Sequence, residues 1–225
     1  MPYYEVMNGM QVSDSIRILE ITRNEADRFS REFPDDDSAD PTFSRWSAAD
    51  VLHHLTTWVA YSRERLTAIL ENASVRDIDD LEVFNRDAWE RGRTIPRMDL
   101  LQRFADELDR YRDTVTRFTA ADFDRTDLPT GFDWPLWKYI LLDTAVHPGW
   151  HFVYHGITRG NFKFAVAALD TLAPAMLKFS GGDESVFDLS ELADDPAGLC
   201  AACASFAAAC PDNAQVQALV RKNQG

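Results

Sequence analysis

Trp46-Ser47-Ala48-Ala49-Asp50-Val51-Leu52-His53-His54-Leu55 opens a helix. Ser47 followed three residues later by Asp50 is a capping-box variant, and a carboxylate in the first turn suits the positive end of the helix dipole. Beyond it Val51, Leu55, Trp58, Val59, Leu66 and Ile69 recur at three- and four-residue steps and mark one buried stripe. At about 100° per residue His54 falls beside Trp58 at the edge of that stripe, and His53 falls on the far, polar side. His54 is therefore expected to point inward and His53 to face water.

The same periodicity extends to both sides. Ile16, Leu19, Ile21, Ala26 and Phe29 predict an amphipathic helix from about Ser13 to Phe33, broken by Pro34 and the aspartate-rich loop that runs to Pro41. The connection from Asn72 to Thr94 has room for a short helix and lets the helices on either side of it run parallel. Pro96 begins a third long helix carrying Leu100, Leu101, Phe104, Leu108, Tyr111, Val115 and Phe118, and Asp127-Leu128-Pro129-Thr130-Gly131 closes it with turn residues. Trp134-Pro135 starts the fourth, with Trp137, Ile140, Leu141, Thr144, His151 and His155 on one face and His147 at its margin. Pro148 lies inside that helix and predicts a kink; Gly160 predicts its end.

Past Gly160 the pattern changes. Phe162 to Phe179 reads as a fifth helix interrupted at Pro174, Ser180 to Ser185 as a flexible break, Ala197 to Cys210 as an alanine-rich helix, and the remainder as a polar tail. No strand alternation or repeat is visible. The expectation is an all-α chain with a four-helix bundle over 1–160 and a helical extension over 161–225 packed on it.

Bulk properties narrow the function. The 225 residues carry a net charge of −14, which disfavours nucleic acid and anionic membrane surfaces as partners. No apolar run approaches the roughly 20 residues that span a bilayer. Met1-Pro2-Tyr3-Tyr4-Glu5-Val6 has neither the basic nor the apolar region of a secretory signal, and three cysteines do not suggest a disulfide framework, so the expected location is the cytoplasm. Cys200 and Cys203, spaced Cys-x-x-Cys, have no second pair, and with Cys210 they read as packing residues of the alanine-rich helix. Trp46, Trp58, Trp89, Trp134, Trp137 and Trp150 read mostly as core, with Trp58 and Trp150 placed to wall a pocket. Asp35 to Asp37 and Asp79-Asp80 read as solvated loops.

The five histidines occupy two short segments, His53-His54 and the series His147, His151, His155. Imidazoles four residues apart on one helix can share one metal ion, and a third from a neighbouring helix completes a set that leaves a position open for water or substrate. The chain offers two overlapping pairs, His147 with His151 and His151 with His155; the helical wheel turns the second pair further inward.

Trp46-Ser47-x-x-Asp50-Val51-Leu52-x-His54-Leu55 followed by His147-Pro148-Gly149-Trp150-His151 resembles the DinB/YfiT-like four-helix-bundle proteins over roughly Ser13 to Gly160. The connection bearing Asn85 is similar to the ClbS/DfsB subgroup. The resemblance implies an up-down-down-up bundle, often a homodimer, with three histidines holding Zn²⁺ or another divalent metal such as Ni or Fe. Carried over by position, it gives His54, His147 and His151 as ligands, with His155 beside them or as the rival third, and Pro148 departs from the usual pattern. Asp143, one turn before His147, is a candidate for orienting a ligand ring. The implied activity is that of a metal-dependent enzyme: an S-transferase or isomerase using a low-molecular-weight thiol cosubstrate, or a hydrolase, acting on an electrophilic small molecule. The alternative is a non-catalytic small-molecule-binding or stress-response protein.

Overall fold

The computed structural model describes residues 10–34, 42 and 45–224, and among them every regular element is helical. The helices are α1 (Val12–Glu32), α2 (Ala48–Leu70), α3 (Leu81–Gly92), α4 (Arg97–Val115), α5 (Ala120–Phe123), α6 (Leu136–Leu141), α7 (His147–Thr158), α8 (Phe162–Ser180), α9 (Pro196–Ala209) and α10 (Ala214–Lys222). None is long and apolar enough to cross a membrane. The expected aspartate loop at Asp35–Asp37 and the N-terminal segment read for a secretory signal lie outside the described residues.

The anticipated stripes form the core. Leu19, Ala26 and Phe29 of α1, Val51, Leu55, Val59 and Leu66 of α2, and Leu100, Phe104, Leu108, Tyr111 and Val115 of α4 are all buried in one continuous apolar cluster. α4 packs against both α1 and α2, and α3 lies against α2. Asp80 is more than a solvated loop residue: its carboxylate accepts the Val83 N–H at 3.0 Å and caps α3.

α6 and α7 form one helix joined by a π-helical turn, Leu142–Val146. The turn accounts for how Pro148 is accommodated. Proline has no N–H for the carbonyl four residues back, and its ring crowds that carbonyl. In the wider turn His147 N–H reaches Leu142 O instead, and the Thr144 carbonyl left without Pro148 accepts the Thr22 hydroxyl of α1. A polar Thr22 on the buried face of α1 is thereby explained. Gly160, with φ +69°, follows the helix end, and Asn161 N–H closes on Gly156 O at 2.8 Å.

Three expectations are corrected. α8 runs through Pro174 without interruption; Pro174 is on the exposed side, where water can hydrate the carbonyl that its ring leaves unbonded. The polar tail contains a short amphipathic helix, α10, whose Val216, Leu219 and Val220 are buried; nine residues are too few to show a convincing period among Gln, Arg and Lys. His53 is half-buried rather than turned out to water. α3 covers that side of α2, and the approach is so close that a Cβ on Gly92 would stand 2.5 Å from His53 Cδ2. Burial, reinforced by Arg91 and Arg103, lowers the His53 pKa.

The segment after α8 is tied back to the helices before it. α8 packs on α7 and α1, and two 3₁₀ turns (Glu184–Phe187 and Ser190–Leu192) form a strap between α8 and α9. Asn223, just past α10, clamps the strap: its Nδ2 donates to Phe187 O and Leu219 O, and its Oδ1 accepts Leu189 N–H, all at 2.8 Å.

Candidate metal centre

Ser47 builds the local frame. Its hydroxyl accepts Asp50 N–H at 3.1 Å, while Asp50 accepts Ser47 N–H at 2.9 Å, so both halves of the capping box are made. That fixes the start of α2 and the direction in which His54 leaves it. Trp46, just before the cap, is 2% exposed. Its ring stands 4.8 Å from the His54 ring and stacks with His151 at 6.2 Å and 10°. One tryptophan thus braces two histidines from different helices.

His54 of α2 meets His147 and His151 of α7. His54 Nε2 is 3.0 Å from His147 Nε2, and His151 Nε2 is 3.1 Å from the same atom. The three ligand atoms all lie within 4.8 Å of one another, a group that could hold a metal ion. Nitrogens bound to one ion at about 2.1 Å stand roughly 3.0 Å apart at right angles and roughly 3.4 Å apart at the tetrahedral angle. The two separations from His147 match the right-angled case.

Proton accounting points the same way. A neutral imidazole has one N–H and one in-plane lone pair, so His147 Nε2 alone can serve its two neighbours only by sharing a single hydrogen or a single lone pair. A cation satisfies all three lone pairs together. Burial pushes His147 down to about 4 and, reinforced by the other imidazoles, holds His54 and His151 well below the ordinary value. The rings are therefore neutral at physiological pH, the form that binds metal.

Of the two overlapping pairs, His147 with His151 converges on His54. His155, one turn on, lies outside the group: its ring packs edge-on against Phe29 at 5.0 Å and Phe33 at 4.6 Å. Four residues advance the chain one turn along the axis and about 40° further round it, which brings His155 against α1 instead of α2.

The three histidines line a cavity of about 700 Å³ together with Trp58, Asn85, Asp143 and Trp150. Trp58 Nε1 donates to Asn85 Oδ1 at 3.0 Å, so Asn85 holds a wall of the cavity. Asp143 is buried on the π turn, and burial raises its pKa to about 7 against the opposing pull of the Ser62 hydroxyl and the Arg65 guanidinium. Its influences are Ser62 and Arg65, with no hydrogen bond to a histidine ring. Sequence reading missed Tyr61, Arg65 and Tyr139, and also the strap residues Ser185, Asp188, Ser190, Glu191 and Leu192, all of which line the same cavity. Arg65 carries a weak signal, a charge on a core-facing stripe; the strap has none, because only the return of the chain brings it there. None of the cysteines lines the cavity; Cys203 is buried, which raises its thiol to about 11.

Compared with protein-family models, curated proteins and solved structures, the chain matches none.

Proposed function

We infer that this is a metal-dependent enzyme of the DinB-like type, with His54, His147 and His151 as the protein ligands of a divalent cation. The observation that carries the reading is the convergence of three neutral imidazole nitrogens on one wall of a cavity large enough for a small molecule. Three protein ligands leave the ion a position for exchange, as catalytic rather than structural sites do. In this reading α1, α2, α4 and the α6–α7 helix are the four members of an up-down-down-up bundle, and the chain works as a cytoplasmic homodimer.

Zinc is the first candidate, and the right-angled spacing also suits Ni or Fe. Such an ion lowers the pKa of a bound water or thiol and polarises an electrophile. The chain supplies the rest. Trp46 fixes the orientation of two ligand rings, Trp58 and Trp150 limit water around the site, and Asp143, titrating near neutrality, is placed to take or give a proton inside the cavity. The reaction class is thiol-dependent transfer or isomerisation, or hydrolysis, of an electrophilic small molecule.

The test is metal analysis of protein purified without a histidine tag. Near-stoichiometric divalent metal is expected; less than about a tenth of an equivalent, with no uptake of added Zn²⁺ or Ni²⁺, removes the reading. The strap across the cavity favours a second reading, a non-catalytic protein that sequesters a small molecule in a stress response. Ligand consumption at one equivalent without turnover distinguishes it.

A further inference from the structure

We propose that the cavity beside the three histidines is a binding site for an uncharged, planar aromatic small molecule, held against the indoles of Trp58 and Trp150. This deepens the reading of the cavity as the ligand site of a metal centre. It rests on the walls rather than on the ion.

The first observation is how the two indoles are fixed. Trp58 is partly exposed to the cavity, and its N–H is committed to Asn85 Oδ1 at 3.0 Å. Trp150 is likewise partly exposed, and its N–H is committed to the Val186 carbonyl of the strap at 2.6 Å. With both N–H groups satisfied by the protein, neither indole keeps a donor for a ligand, and what each can offer the cavity is its apolar ring. Each is also held in place before any ligand arrives, so little side-chain entropy is lost on binding. Tyr61 and Tyr139 add two phenol rings to the lining.

The second observation is the mouth. Four large apolar side chains stand out as exposed among the described residues, and two of them, Leu81 at 57% and Phe132 at 41%, line this cavity. Phe132 is itself stacked on Trp134 at 4.2 Å and 7°. Apolar groups left in water at the edge of a concave site gain by covering a hydrophobic ligand.

The third observation is charge. Asp188 and Glu191 stand exposed in the lining, and Arg65, the one Arg or Lys side chain among the described lining residues, is ion-paired with Asp77. In the metal-free chain an anionic aromatic would meet this carboxylate rim unfavourably, so the side-chain walls by themselves favour a neutral ring. The volume, about 700 Å³, accommodates a fused bicyclic molecule with room for a second small group.

The experiment uses the full chain stripped of metal and three probes of similar size: 2-naphthol, its saturated counterpart decahydro-2-naphthol, and 2-naphthoate. Affinities are read by calorimetry. The expected order is 2-naphthol tightest, with the saturated alcohol roughly tenfold weaker despite being more hydrophobic, because it lacks the aromatic contact. 2-Naphthoate is also expected to bind more weakly than 2-naphthol. Trp150→Ala should weaken 2-naphthol roughly tenfold and Trp150→Phe should restore most of it. Equal affinities for the two alcohols, preference for the carboxylate, indifference to Trp150→Ala, or no binding of 2-naphthol overturns the proposal. The alcohol pair is compared on the unmodified protein, so the outcome stands even where a substitution disturbs folding. Failure to take up Zn²⁺ with 2-naphthol binding intact would remove the metal reading alone; Zn²⁺ uptake without aromatic preference would remove this one alone.

Discussion

Replacing His147 by alanine takes away the nitrogen that both other imidazoles approach, at 3.0 and 3.1 Å. The consequence is best read as metal-linked stability. A cation that binds only the folded state at 100 times its Kd stabilises by about 2.7 kcal/mol. For a chain of this length each kcal/mol moves Tm by roughly 2–4 °C, so saturating Zn²⁺ should raise the Tm of the unmodified protein by about 5–11 °C. With two ligands left, a hundredfold loss of affinity at the same Zn²⁺ concentration reduces the term to about 0.4 kcal/mol, a shift of roughly 1–2 °C. His155→Ala is the control, since its ring packs on Phe29 and Phe33 outside the group; it should lower the metal-free Tm yet keep the full Zn²⁺ shift. The assay is scanning calorimetry of tag-free protein at pH 8, with chelator and with Zn²⁺. A full Zn²⁺ shift in His147→Ala, or its loss in His155→Ala, would refute the ligand assignment.

Asp143 should make stability depend on pH in a defined direction. Its folded pKa of about 7 lies above the ordinary 3.8, so the stability it contributes is complete below pH ~4 and lost as pH rises through ~7. Between pH 5 and 8.5 the unmodified protein should lose about 2–3 kcal/mol relative to Asp143→Asn; urea melts with the same pH slope for both proteins contradict this. Thr22→Val removes the hydroxyl that satisfies the Thr144 carbonyl and should cost about 1–2 kcal/mol. In a Pro148→Ala background the restored N–H can serve that carbonyl, so the cost of Thr22→Val should shrink. An unchanged cost in the double-mutant cycle, measured by thermal melts, rejects the explanation of the π turn.

Legibility differed by element for physical reasons. α1 and α4 are legible because each sets a long apolar stripe against a charged opposite face, and α2 because its stripe repeats over about twenty residues. The cap at Ser47 and the inward turn of His54 followed from local geometry alone. His53 failed because a helical wheel treats the side opposite the stripe as water, whereas α3 closes over it through the gap that Gly92 leaves. Pro148 foretold a disturbance but not its form, since a π turn needs Thr22 on another helix to take up the released carbonyl. α10 and the unbroken passage of α8 through Pro174 are hard to foresee because a short helix and an exposed proline leave faint local signals.

The helical class, the main stripes and the few residues with chemistry to offer are legible from the chain alone, because they depend on residue type and on spacing within one turn or two. Which of them lie together follows from the tertiary packing. His147 and His155 stand about two turns apart on one helix, and which of them comes together with His54 and His151 follows from the neighbour each ring meets: α2 for His147, α1 for His155. The cavity wall was decided in the same way. Asn223 holds the strap, and the strap holds Trp150, from parts of the chain that no local pattern connects.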